Sequence, residues 1–295
     1  MKESTKGALA IFLTYVFWGV MPVYWKALAT VNSVEILAHR IIWSCVFSLS
    51  LAAAWHKISD IVSLLRSNRR ATALLVLSSV TISANWGIYI WAVNDGRILE
   101  TSLGYFITPL VSMFFGAAIF KERLNKIQWL AIVIAVAGVC SEVVAIGYLP
   151  LVSLSLAFSF GAYGLMKKLS AVESLVGFTI ETMLIAPLFL IWLIWRGYSG
   201  ATDFSYGIWV TLLLIGTGVV TATPLITFAW GVKRSSMIAV GLIQYASPIL
   251  IFLTGAVVYK EPVSSARLLS FVLIWISIII FSAESLLRAK KLADK

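Results

Sequence analysis

Charge is scarce in this chain of 295 residues: 12% of them are Asp, Glu, Lys or Arg. A soluble domain carries about 25%. So few charges cannot clothe one soluble core. Cysteine is nearly missing as well. Cys45 and Cys140 both fall in apolar runs, which rules out a disulfide framework or a cysteine metal site. Histidine occurs twice, at His39 and His56. That is too little for a His/Asp/Glu constellation, so an intramembrane enzyme has almost no chemistry to work with. No G-x-x-x-x-G-K-[ST] loop is present, which excludes ATP as the direct energy source. No metal or cofactor is expected. Acidic residues number 13 against 23 basic ones, a formal charge of +10. The bases form short clusters between apolar runs rather than one patch, so nucleic acid is not the partner.

What is abundant is apolar surface. Hydrophobic residues make up 60% of the chain and the mean hydropathy is +0.96. A bilayer is the solvent for such an excess. Twelve Trp and ten Tyr suit two membrane interfaces. A spanning helix needs about 20 apolar residues, and the backbone in lipid must satisfy itself. Ten spans are expected, near 7–27, 35–55, 71–93, 98–120, 127–146, 149–167, 173–195, 206–231, 236–259 and 266–286. The longest linker is 56–70, and none holds a soluble domain. Lys2, Lys6 and Ala27-Leu28-Ala29 mimic a cleavable leader. Pro22, Tyr24 and Trp25 are out of place beside a cleavage site, so the segment is expected to stay. With the N-terminus inside, seventeen Lys/Arg fall on the inner side and five on the outer, with Arg40 inside a span. Both termini are therefore expected in the cytoplasm.

The chain resembles itself at a lag near 139. Phe106, Pro109, Gly116, Lys121 and Glu122 match Tyr245, Pro248, Gly255, Lys260 and Glu261; Trp91 matches Trp230. Val34-Glu35 matches Val172-Glu173, and Gly19 and Lys26 match Gly161 and Lys168, at slightly different lags. The copies are 1–146 and 147–286, followed by a basic tail, 287–295. Five spans per copy is an odd number, so the second copy enters the membrane from the opposite side. Inverted repeats of this kind place a site near the midplane, between the halves.

Phe17-Trp18-Gly19, the Pro-centred fourth and ninth spans, Lys121-Glu122 and Lys260-Glu261 resemble the EamA branch of the drug/metabolite transporter superfamily. Glu35-Ile36-Leu37-Ala38-His39-Arg40, Asn85-Trp86, Trp91-Ala92-Val93-Asn94, Ser102-Leu103-Gly104-Tyr105-Phe106-Ile107, Leu156-Ala157-Phe158-Ser159-Phe160, Ile180-Glu181-Thr182-Met183 and Gln244-Tyr245 are similar to the RarD permeases. The resemblance covers nearly the whole chain. It implies an all-α carrier of the bacterial inner membrane, with a small-molecule substrate. RarD members carry a label linking them to chloramphenicol, which sets no substrate here. Proton coupling, ion coupling, exchange and facilitation all stay open. Efflux is the preferred direction. A membrane scaffold or sensor is the alternative, and it needs no midplane cavity.

Charges inside spans cost about 2.5–3.5 kcal/mol each on insertion scales, which singles out His39, Arg40 and Glu181. Arg40, about 7–8 Å inside the outer end of its span, either binds an anionic group or snorkels. His39 either couples to protons or contacts substrate, or pairs with Glu35 four residues away. Glu181, about 12 Å into its span, either takes a proton or pairs with Arg40. Asn85, Trp86 and Tyr89 form a polar-aromatic group suited to an organic molecule, or else interhelical glue. Tyr105, Tyr163, Gln244 and Tyr245 complete the substrate candidates. Tyr105-Pro109 and Gln244-Pro248 share i, i+4 spacing, and each Pro can free a carbonyl one turn back. Thr221, Thr223 and Pro224 read as packing. Glu122 reads as an interfacial anchor. Ala131, Ala135 and Gly138 form a small-residue stripe for close helix contact, within the chain or in a homodimer.

Overall fold

The computed structural model describes residues 3–94, 98–147, 151–199, 207–253 and 264–293, and among these no strand occurs. The repeat residues Gly255, Lys260 and Glu261, and the loop charges Asp95 and Arg97, lie outside them. Thirteen helices follow one another among the described residues. They are α1 (Glu3–Val20), α2 (Pro22–Lys26), α3 (Ser33–Ala54), α4 (Ile58–Ser67), α5 (Arg69–Asn94), α6 (Ile98–Ile119) and α7 (Lys126–Ile146). Then come α8 (Leu151–Ser170), α9 (Ser174–Tyr198), α10 (Ile208–Arg234), α11 (Met237–Gln244), α12 (Ala246–Leu253) and α13 (Ser265–Ala293).

Six stretches are long and apolar enough to cross a bilayer: Glu3–Lys26, Ser33–Ala54, Arg69–Ala92, Lys126–Ala145, Ser174–Tyr198 and Ile208–Arg234. Leu103–Ile119, Met237–Leu253 and Leu268–Phe281 are shorter apolar helices. The outward faces carry Val144, Leu188, Ile191 and Ile279, all well exposed, a surface only lipid can cover. Exposed Trp55, Trp129, Trp195 and Trp209 sit near helix ends, where an aromatic belt belongs.

Two expected spans are broken rather than continuous. Pro22 opens α2 and has no N–H to give, so the Trp18 carbonyl takes the Met21 N–H in a tighter turn (3.3 Å). Pro248 likewise cannot serve the Gln244 carbonyl, and the chain turns at Tyr245 between α11 and α12. The linker 56–70 is no simple loop, since it contains α4, which seats Ile61 against α5 and α9.

The main packing pairs are α1 with α10, α11 and α12; α8 with α5 and α6; α3 with α9 and α10; α5 with α9; α6 with α11; and α7 with α13. Some crossings are too close for any side chain. A Cβ on Gly218 would meet the Trp43 backbone at 2.5 Å, so α3 and α10 touch main chain to main chain. The Ala131, Ala135 and Gly138 stripe is used within the chain: Ser277 donates to the Ala131 carbonyl (2.6 Å), and Gly138 faces Ser270 and Leu273 of α13.

Candidate functional site

Asn32 caps α3 by accepting the Val34 N–H (3.0 Å), and two turns on the helix brings Arg40 into the bundle. Arg40 is 9% exposed. Its guanidinium carbon lies 4.8 Å from the Trp25 ring centroid and 4.3 Å from that of Trp86. Its Nε donates to Thr221 Oγ1 of α10 (2.9 Å). Among the described residues no carboxylate pairs with Arg40. The expected alternative, an Arg40–Glu181 pair, is not formed.

Arg40 forms part of the wall of a cavity between helices from both ends of the chain. Six of the ten candidates line it: Arg40, Asn85, Trp86, Tyr89, Tyr105 and Gln244. The space open to the centre of a water-sized sphere is about 90 Å³. One water needs about 10–15 Å³ on that measure, so there is room for several waters or a small organic group. Tyr89 and Tyr105 pack ring to ring (5.8 Å). Asn85 Nδ2 donates to the Leu156 carbonyl (2.9 Å) and Ser159 Oγ (3.0 Å), tying α5 to α8. It is therefore helix glue as well as lining. Ser112 Oγ donates to Gln244 Oε1 (3.0 Å) and fixes that amide across α6 and α11.

Sequence reasoning missed Tyr15, Trp18, Thr108, Phe160, Ser247, Pro248 and Ile251 in the same wall. Trp18 and Phe160 meet edge to face (5.6 Å). Both belong to motifs singled out for family resemblance alone, and that was the available signal. Thr221, read as packing, turns out to orient the arginine.

Four candidates lie elsewhere. His39 is half-buried, and its Nδ1 accepts from Trp43 Nε1 (3.2 Å). Tyr245 packs with Phe106 and Phe271 in a second core. Tyr163 is fully buried among Phe160 and Phe228. Glu181 faces a different partner from the one expected. Both its oxygens accept from Lys167 Nζ at 2.9 Å, and Ser78 of α5 donates to Oε1. Both side chains of this pair are 2% exposed. Lys167, one of the seventeen bases that the sequence places on the inner side, is thus the hidden member.

Lys167 sits one turn from the end of α8, and other polar contacts lie at this end of the bundle. Lys57 reaches Glu173 (2.8 Å) and Asp60 (3.3 Å). The hydrogen bond to Glu173, then that to Asp60, holds the Lys57 ammonium above the ordinary lysine range. Glu122 is not a simple interfacial anchor. Its carboxylate accepts the first N–H groups of α11, from Met237 (2.8 Å) and Ile238 (2.9 Å). Lys168 steadies it (3.4 Å) while donating to the Ser235 carbonyl (2.8 Å).

The model of the EamA-like transporter family matches twice, at residues 5–141 and 147–283. An uncharacterized transporter of Bacillus subtilis, YojE, is 43% identical over 95% of this chain and 94% of its own length. The protein RarD of Escherichia coli is 36% identical over 97% and 96%. A protein of Pseudomonas aeruginosa named chloramphenicol-sensitive protein RarD is 29% identical over 100% and 99%. One crystal structure superposes with a TM-score of 0.69 at 19% identity, covering 94% of this chain and 97% of that one, a likeness of fold alone. The family's name and that of YojE are those of transporters, and none of these names is that of an enzyme. With two family repeats, apolar helices throughout and relatives matched along their whole length, the chain belongs to the EamA-like transporter family.

Proposed function

We propose that the protein is a secondary transporter that carries a small organic molecule through the central cavity by alternating access. The single observation behind this reading is the cavity wall itself. Arg40, Asn85, Trp86, Tyr89 and Tyr105 come from residues 1–146, while Phe160, Gln244, Ser247 and Pro248 come from 147–286. A site shared by two halves can be opened to either side by rocking one half on the other.

The helix pairing supports a twofold repeat, and five spans in each half make that repeat an inverted one. Exchange α1/α2 with α8, α3 with α9, α5 with α10, α6 with α11/α12, and α7 with α13. The main pairs between halves then map onto themselves: α1–α10 becomes α8–α5, and α3–α10 becomes α9–α5. Both broken helices reach the cavity, through Trp18 before the Pro22 break and through Gln244 and Ser247 around the Tyr245 break. Discontinuous helices are how transporters bring polar backbone to a binding site.

Under this reading both termini are cytoplasmic, the membrane is the bacterial inner membrane, and the cavity lies in the outer half. The Lys167–Glu181–Ser78 and Lys57–Glu173 contacts then close the cytoplasmic side. Efflux remains the preferred direction. The test is flux into proteoliposomes of the purified chain, over amino acids, amphenicols and other metabolites, with and without a pH gradient. Saturable flux of at least one compound is expected, and its change with the gradient reports proton coupling. Flux no greater than in protein-free vesicles across the whole set would refute transport.

A further inference from the structure

Arg40 presents an unfilled fork. A guanidinium stays charged and carries five N–H donors in one plane. One of the five, on Nε, is used by Thr221. Trp25 and Trp86 supply π-electron density beside the charge, which lowers the cost of burying it but offers no acceptor to the two Nη groups. Among the described residues, the Arg40 Nη atoms have neither a hydrogen bond nor a carboxylate. Among the described residues, the cavity wall contains no Asp or Glu. A buried cation facing a water-sized space, with its acceptor-seeking edge free, selects for an anion in that space.

The shape of the wall narrows the class. Trp18, Phe160, Tyr89 and Tyr105 give flat apolar faces, and Thr108, Gln244 and Ser247 give neutral polar groups. A ligand ammonium would meet Arg40 with no carboxylate to offset the repulsion. We propose that the transported molecule is a small carboxylate with a planar, apolar body. Its two oxygens take the Nη edge of Arg40 side by side, and its body lies against the aromatic wall. This rests on the cavity being the transport site, and it goes further by fixing the chemistry of the substrate.

The experiment uses three probes of one skeleton: 3-phenylpropanoate, 3-phenylpropanamide and 3-phenylpropan-1-amine. Binding to the purified full chain and flux in proteoliposomes are both measured. The carboxylate is expected to bind more tightly than the amide by on the order of ten- to hundredfold, as one charge-assisted pair commands, and the amine not to bind. Arg40→Gln should remove that preference. Arg40→Lys should keep the sign of the preference but shrink it, because an ammonium lacks the fork. It also serves as the reporter should Arg40→Gln fail to fold by size-exclusion chromatography. Amide bound as well as carboxylate, or no carboxylate binding at all, overturns the substrate class. Carboxylate bound with the expected preference but never moved upholds the binding chemistry of Arg40 and overturns the carboxylate as the transported class, while transport itself still stands or falls on the wider set of compounds.

Discussion

Lys167 and Glu181 are two full charges withdrawn from water inside an apolar bundle, each 2% exposed. A single truncation leaves the other charge buried and alone, which costs about 3–5 kcal/mol. Lys167→Met and Glu181→Gln should each lower the thermal midpoint of the detergent-solubilised protein sharply. The double replacement Lys167→Met with Glu181→Leu should restore most of the loss, since apolar substitutes for a buried pair are often neutral. Additive losses would mean the pair is not coupled. If Glu181 acted as the proton-binding group its sequence position suggests, exchange for an uncharged residue would abolish or uncouple flux and leave the fold intact. The pairing with Lys167 makes loss of stability the first consequence instead. Arg40 is the opposite case, because its charge is eased by indole rings and Thr221 rather than by a carboxylate. Its cost is therefore tied to the cavity it faces.

At the scale of elements, Glu122 shows how a loop residue sets a helix. Its carboxylate sits on the N-terminus of α11, where the helix dipole and two unpaired N–H groups favour an anion. Glu122→Ala should cost about 1–2 kcal/mol, and Glu122→Gln less. Hydrogen exchange at the Met237 and Ile238 amides should accelerate in the alanine variant; unchanged protection would disprove the cap. The sequence displayed the apolar runs plainly, because burial in lipid needs length and hydropathy and little else. It hid the break at Pro22, because a window of about 20 residues averages over one turn, and showed the break at Tyr245 only in part, through Pro248 and the Gln244 carbonyl it leaves unserved. It hid α4 because Ile58, Ile61, Val62 and Leu65 were read as part of a linker and not by their helical spacing. Arg40, Asn85 and Tyr89 were legible because polar groups at membrane depth stand out. Lys167 was not, because a lysine near a helix end looks interfacial until its tertiary partner is known.

For the whole molecule, the proposed transport mechanism turns on whether the two halves cross the membrane in opposite senses. Ser67 and Ser199 both follow the second long helix of their half, and both are exposed. In a parallel repeat they would face the same compartment; in an inverted one they face opposite compartments. The native cysteines are first removed as Cys45→Ala and Cys140→Ser, Cys140 being exposed. Ser67→Cys and Ser199→Cys are then probed separately with a membrane-impermeant maleimide. In right-side-out vesicles the position-199 variant should label and the position-67 variant should not, and inside-out vesicles should reverse the result. On the ten expected spans, the seventeen-to-five bias of Lys and Arg predicts that the richer side is cytoplasmic, so the sign of the outcome is predicted as well as the contrast. Labelling of both positions from one side would mean an even number of crossings between them. That result would refute the inverted relation of the two halves.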